Sequence, residues 1–246
     1  MLVYDPNPSL RWLAFLAHPD DEMCMLGWLA FLARQGNHVE VAWAHSNPQR
    51  EAESRDVADL IGLRQENLHF LGSEDGRVIH SYKHVEPMLA SIVEGCKPDR
   101  MLTIAFEQGH LDHDAVSFFT RRAFGGPIVE CPMYHPYSRR IQTLNHFSDP
   151  ATGTELPLED WQQDLKRKAI TMFPSQTIRR NVVAFGLYRR LQGRPVFFDK
   201  RELGRIQTVT DFLVPNAPAG VAKEIQKSPL WAEWCETIAP LVAQSS

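Results

Sequence analysis

The first half of the chain alternates short apolar runs with longer stretches of helical periodicity, and this alternation constrains the fold more than any other feature. Strands are predicted over residues 13–17, 39–44, 68–71, 101–106 and 128–131. Between them the spacing predicts helices over 21–35, 49–61, 85–95 and 114–124. Parallel neighbours need a long crossover, and a helix supplies it, so this succession predicts a parallel sheet covered on both faces. Glycines follow three of the helices, at Gly36, Gly62 and Gly125-Gly126, where a left-handed residue closes the last turn. After a surface excursion over 136–157, a helix is expected at about 158–173, and the tail from Ser228, with Trp231 and Trp234, reads as a short packed helix. The expected architecture is a Rossmann-like α/β fold, mostly parallel, with helices on both faces. It forms one domain over 1–246, with a core at about 11–176 and an irregular C-terminal extension at about 177–246.

With 246 residues the chain can bury a substantial core without disulfides or structural metals. Its formal charge of −4, from 26 basic and 30 acidic residues, offers no basic surface for nucleic acid. No stretch approaches the ~18 uninterrupted apolar residues of a membrane span, and the N-terminus lacks a basic start and apolar block. A cytoplasmic location is the expectation. Cys24, Cys96, Cys131 and Cys235 are far apart and form no Cys-x-x-Cys pair, so reduced thiols are expected. Homo-oligomerisation is left open.

Two clusters carry the chemistry. His18-Pro19-Asp20-Asp21-Glu22 ends the first apolar run, and His110-Leu111-Asp112-His113 follows the fourth. Both should lie at the carboxyl edge of a parallel sheet, where ligands bind. On its own an Asp-Asp-Glu run is an ordinary helix N-terminus, where carboxylates complement the dipole. The conjunction of two His-and-Asp clusters on one sheet edge points instead to a metal site. His18 and Asp21 are spaced to converge on one point, and His113 or His110 supplies a third ligand. Imidazole and carboxylate donors without thiolate suit Zn2+, with Fe2+ or Mn2+ as weaker options. Three protein ligands leave room for water and substrate. Asp20 is then the candidate general base, and His110, with Asp112 two residues on, could stabilise an oxyanion or protonate a leaving amine.

Competing motifs fail. A dinucleotide site needs a glycine-rich first turn, and here the turn is acidic. A metallo-β-lactamase-like His-x-His-x-Asp-His would need histidine where Gln108 stands, and no Gly-x-Ser-x-Gly turn is present.

The segment Ala17 to Glu22 and the downstream His-x-Asp-His resemble the LmbE/PIG-L family of zinc-dependent N-acetylglucosamine deacetylases. Two further landmarks resemble it: Arg50-Glu51-Ala52-Glu53 running to Ala58 and Ile61-Gly62, and Lys166, Ala169, Ser175 and Gln176. The resemblance implies an N-deacetylase that releases acetate and a free amine from an N-acetylated amino-sugar conjugate. It assigns His18, Asp21 and His113 to metal, Asp20 to general base, His110 to electrostatic or acid help, Asp112 to orienting His110, and Arg50 to a substrate-facing cation. Asp75 and Tyr134 are candidate substrate contacts, Asp75 through a sugar hydroxyl and Tyr134, beside His135 and Tyr137, through stacking. The chain departs from the family's pattern in the short interval His45-Ser46-Asn47-Pro48-Gln49 before Arg50, and at Phe173, where a histidine is common. The short interval keeps open a metalloamidase acting on a non-sugar acyl amide. A non-catalytic sugar-binding or metal-binding protein is the other alternative, and retention of Asp20 argues against it.

Overall fold

The structure, a computed structural model, describes residues 2–133, 137, 145–176, 178–191 and 198–244. Seven strands form one sheet in the order β3-β2-β1-β4-β5-β7-β6. The strands are β1 (Trp12–Leu16), β2 (Val39–His45), β3 (Leu68–Ser73), β4 (Arg100–Ile104), β5 (Ile128–Cys131), β6 (Thr154–Pro157) and β7 (Arg201–Ile206). The first five are parallel to their neighbours, while β7 is antiparallel to both β5 and β6. The chain moves outward from β1 through β2 to β3, then crosses back to β4 beside β1 and moves out the other way. Right-handed crossovers therefore place the two sets of helices on opposite faces. In agreement, α1 (Leu26–Gln35), α2 (Pro48–Ile61) and α5 (Asp160–Ala169) pack together, as do α3 (Tyr82–Cys96) and α4 (Leu111–Ala123). The helices α6 (Ile178–Leu191), α7 (Ala219–Ile225) and α8 (Pro229–Ala243) follow. No helix among the described residues is long and apolar enough to cross a membrane.

β1 is buried over its whole length, as a strand with neighbours on both edges and helices on both faces must be. The helix expected over 21–35 is broken: a 3-10 turn at Asp21–Cys24 precedes α1, with Met25 between them out of helical conformation. Gly36 and Gly62 cap α1 and α2 at φ of 86° and 83°. Gly125-Gly126 plays no such part, since α4 ends at extended Phe124; α3 runs past Gly95 and closes on Lys97 at φ 49°.

Met25 offers no side-chain cap to α1, so its first N–H groups need partners from elsewhere. Glu202 on β7 supplies them, accepting from the amides of Gly27 (2.7 Å) and Trp28 (2.9 Å). The same carboxylate receives Lys166 Nζ of α5 at 2.8 Å, and both side chains are fully buried. Gln162 adds a bond to the Gly27 carbonyl. A Cβ at position 27 would come within 2.5 Å of a Leu158 methyl, so a larger residue there would force that side chain to move. These contacts join the later part of the chain to the first helix. Removing one member of a buried ion pair costs about 3–5 kcal/mol. Glu202→Ala should therefore lose at least that much in urea unfolding, and more than Lys166→Met, because only the former also strips two helix amides.

Candidate active site

The order of strands reverses between β1 and β4, so the loops leaving their carboxyl ends diverge and open a crevice there. The turn after β1 carries His18 to Glu22, and the loop after β4 carries His110 to His113 into α4.

Asp21 is the centre. Its Oδ2 accepts from the amides of Ala17 (3.1 Å) and His18 (2.8 Å), closing the end of β1. Its Oδ1 lies 3.2 Å from His113 Nε2, and Oδ2 lies 3.6 Å from His18 Nδ1. Burial alone would raise this carboxyl's pKa, but the charge and hydrogen bonds of His113 and His18 hold it well below the ordinary range.

His18, Asp21 and His113 present one donor atom each, all within 4.8 Å of one another, and all three residues are buried. Metal–ligand bonds of about 2.0–2.1 Å in tetrahedral geometry put neighbouring donors roughly 3.3 Å apart, so the separations at Asp21 suit one ion. The nitrogen–oxygen donor set suits zinc or another borderline divalent ion. A second triplet, His18, His110 and Asp112, also lies within 4.8 Å. There both carboxylate oxygens are taken by backbone amides, Asp112 Oδ1 accepting from Val78 (3.0 Å) and Oδ2 from Gly76 (2.7 Å), and His110 Nδ1 accepts from the Asp112 amide at 3.2 Å, whereas Asp21 keeps Oδ1 clear of backbone donors. The first triplet is therefore the better cation site.

Asp112 was expected to orient His110. Its carboxylate instead meets His18 Nε2 at 3.0 Å, because the loop after β3 delivers the Gly76 and Val78 amides that turn it that way. A carboxylate on the far nitrogen of a ligand imidazole fixes its tautomer and orientation, leaving Nδ1 toward Asp21. His110 caps α4, and burial together with the positive charge of His113 and His18 lowers its pKa to about 4. It is neutral near pH 7. With Nδ1 accepting the cap bond, its proton sits on Nε2, a donor.

Asp20 adopts φ 113° and ψ −19°, a conformation that side chains rarely take. Its amide donates to Glu22 Oε2 (2.9 Å), and Glu22 also receives Trp43 Nε1 (3.0 Å) and Ser54 Oγ (2.6 Å). The Glu22 clamp was not foreseen, although Ser54 stands four residues beyond Arg50 on the same helix face. Burial and the neighbouring Asp21 charge raise the Asp20 pKa well above the ordinary range, against the pull of Arg50 and His18. Arg50 is buried: it donates to the Pro19 carbonyl (2.8 Å), Asp20 Oδ1 (3.2 Å) and Asp75 Oδ2 (3.1 Å). These three acceptors pin the guanidinium to the turn, where a substrate-facing cation was expected.

Asp75 is the exposed rim of this network, 3.3 Å from His18 Nε2, with its side chain 54% accessible. Tyr134 and His135 lie outside the described residues. Tyr137 gives its hydroxyl to buried Asp114, so it is no free stacking platform. His45, buried at the end of β2, also reaches the site: its ring lies 5.8 Å from that of His18, and its Nδ1 donates to the Ser73 carbonyl at 2.7 Å. Its place on the strand end was the available signal. The remaining sequence landmarks meet each other, since Ser175 donates through its amide (3.0 Å) and hydroxyl (2.5 Å) to Glu53.

Residues 13–124 match the family model described as PIG-L: GlcNAc-PI de-N-acetylase. That match agrees with the sequence resemblance to the PIG-L (LmbE-like) family. No curated protein matches the chain. Among solved structures it is similar to a triple mutant of a deacetylase of the teicoplanin biosynthetic pathway, with 19% identity, TM-score 0.58, and coverage of 80% of this chain and 97% of that one. It is also similar to N,N'-diacetylchitobiose deacetylase from Pyrococcus horikoshii, with 17% identity, TM-score 0.56, and coverage of 81% and 84%. A third is GalB, the 4-carboxy-2-hydroxymuconate hydratase of Pseudomonas putida, with 15% identity, TM-score 0.55, and coverage of 82% and 99%. Identities this low establish a common fold, and the Rossmann-like expectation is met.

The Asp20 backbone gives a direct test of strain. Asp20→Ala and Asp20→Gly both remove the carboxylate and its pairing with Arg50, but only glycine relieves the positive φ. The glycine variant should be more stable than the alanine variant by about 1–3 kcal/mol in urea unfolding.

Proposed function

We propose that the protein is a divalent-metal-dependent N-deacetylase that removes the acetyl group from an N-acetylglucosamine-type amino-sugar conjugate, with zinc as the ion. The observation that carries this reading is the meeting of His18, Asp21 and His113 at the sheet's switch point, beside the strained, partly buried carboxylate of Asp20. The match of residues 13–124 to a de-N-acetylase family model supports the reaction class, and the names of two of the similar structures agree with it.

In this reading His18, Asp21 and His113 hold the ion. When bound, it supplies Lewis acidity toward the acyl carbonyl and lowers the pKa of the attacking water. Asp20 takes the water proton as the new carbon–oxygen bond forms, and its raised proton affinity suits a general base. His110, neutral and carrying its proton on Nε2, donates to the developing oxyanion. The carbon–nitrogen bond then breaks, the proton held by Asp20 passes to the amine, and acetate and a free amine leave. Arg50 acts by position, holding Asp20 to the Pro19 carbonyl and to Asp75. Asp75, half exposed at the rim, accepts a hydrogen bond from a sugar hydroxyl. Asp112 holds His18 in its ligating tautomer.

The test is acetate release from a panel of N-acetylated sugar conjugates and non-sugar acyl amides, using protein of known metal content. Asp20→Asn should keep its metal and lose about 10²- to 10⁴-fold in turnover. Asp21→Ala and His113→Ala should lose the metal itself. Parent-rate turnover by Asp20→Asn would remove its role as base, and acetate release from acyl amides alone would redirect the substrate class. In Asp112→Asn, metal affinity should fall by about 10- to 100-fold, read by competition with a chelator.

A further inference from the structure

The opposite, amino-terminal edge of the sheet carries a second cluster of ligating side chains that the reaction does not use. His38 precedes β2 and Glu40 is its second residue; His69 lies on β3 and Cys96 ends α3. Residues 39, 41 and 43 of β2 are buried, and Trp43 meets Glu22 and Ser54's partner network on the α2 side, so Glu40 and Ala42 face the α3 side. His69 pairs in register with Ala42 and shares that face, one diagonal step from Glu40. Cys96, buried, comes down onto the same spot from the end of α3.

Glu40 is the hub. Its Oε1 lies 2.7 Å from His38 Nε2 and its Oε2 lies 2.7 Å from His69 Nε2. Donor atoms of His38, Glu40 and Cys96 all lie within 4.8 Å of one another. A surface ion pair would need one imidazole and one carboxylate. Here two imidazoles approach separate oxygens of one carboxylate, and a buried sulfur completes a nitrogen, oxygen and sulfur set on a single face of the sheet.

We propose that His38, Glu40 and Cys96 form a second cation site, for a zinc-class divalent ion, with His69 holding the other oxygen of Glu40. Sulfur and imidazole donors favour such an ion over magnesium or calcium, which take oxygen. Three protein ligands, two of them partly exposed, leave a position open to water. The ligands come from β2 and from α3, so the ion ties a sheet edge to the helix that covers it. Burial and the Glu40 carboxylate push the pKa of the Cys96 thiol up to about 12, so an ion must displace the thiol proton on binding; Arg11, which donates to the Cys96 carbonyl at 2.6 Å, pulls the other way. Glu40 and His45 are five residues apart on β2, so this site lies roughly 17 Å along the strand from the residue beside His18. It is separate from the catalytic centre.

Cobalt distinguishes the two centres, because thiolate-to-cobalt charge-transfer absorption requires a sulfur ligand and the triplet at His18 has none. Titrating the reduced protein with Co2+ should produce this band, with Zn2+ displacing it. The band should vanish in Cys96→Ser and persist in Asp21→Ala. His38 is partly exposed, so His38→Ala keeps the fold and should weaken binding by about tenfold or more; His69→Ala should keep the band at saturation with affinity about 10- to 100-fold lower. No band in the parent, an undiminished band in Cys96→Ser, or parent-like affinity in His38→Ala would each overturn the proposal.

Discussion

A carboxylate buried as deeply as Asp21 must be compensated on every side, and the site is arranged around that need. Desolvating such a group costs on the order of several kcal/mol, which only hydrogen bonds and opposite charge can offset. Two backbone amides at the end of β1 satisfy one oxygen, and His113 of α4 faces the other. The compensation therefore draws together two segments more than ninety residues apart in sequence. Sheet topology makes the meeting available, since β1 and β4 are hydrogen-bonded neighbours at the point where strand order reverses. Electrostatics makes it obligatory.

Around Asp21 a second layer removes freedom from the groups that would act. Glu22 binds the Asp20 amide, Trp43 and Ser54, and so fixes the strained turn to β2 and α2. Arg50 spans Pro19, Asp20 and Asp75, and Asp112 joins the start of α4 to the loop after β3. A backbone held at φ 113° persists only when its surroundings over-determine it. These bonds are that over-determination, and they aim Asp20 and His18 in fixed directions. More remotely, Glu202 caps α1, the helix that follows the turn, so the buried pair with Lys166 steadies the site through the helix start.

The parts of this arrangement that the sequence disclosed are those governed by local rules. Five parallel strands were legible because their apolar runs are short, dense and separated by helical periodicity, and the two His-and-Asp clusters were legible because they end such runs. β6 and β7 were not, since Thr-Glu-Leu-Pro and Arg-Glu-Leu-Gly-Arg-Ile lack an apolar run, and their charged residues are satisfied by partners such as Lys166, Glu155 and Glu130 far away in sequence. The break at Met25 was hidden because the residues around it are apolar at helical spacing, and only the external cap from Glu202 shows that a new helix begins there. The partner of Asp112 depends on amides delivered by a loop more than thirty residues upstream. Spacing within His-Leu-Asp-His could not reveal it.

The short interval after β2 ties these levels together. Only Ser46 and Asn47 separate the last strand residue, His45, from Pro48 at the start of α2, and Asn47 caps that helix by accepting from the Arg50 amide at 3.1 Å. With no slack between strand and helix, Arg50 lands one turn into α2, directly over the Pro19 carbonyl, and Ser54 lands one turn further on, at Glu22. A longer loop would let α2 start farther from the sheet edge and would leave the turn at Asp20 less tightly held. The same economy keeps His45 buried against the Ser73 carbonyl, so the wall of the crevice on this side is an imidazole and a strand end in place of a mobile loop. Brevity of this connection thus sets both the rigidity of Asp20 and the shape of the space in front of it.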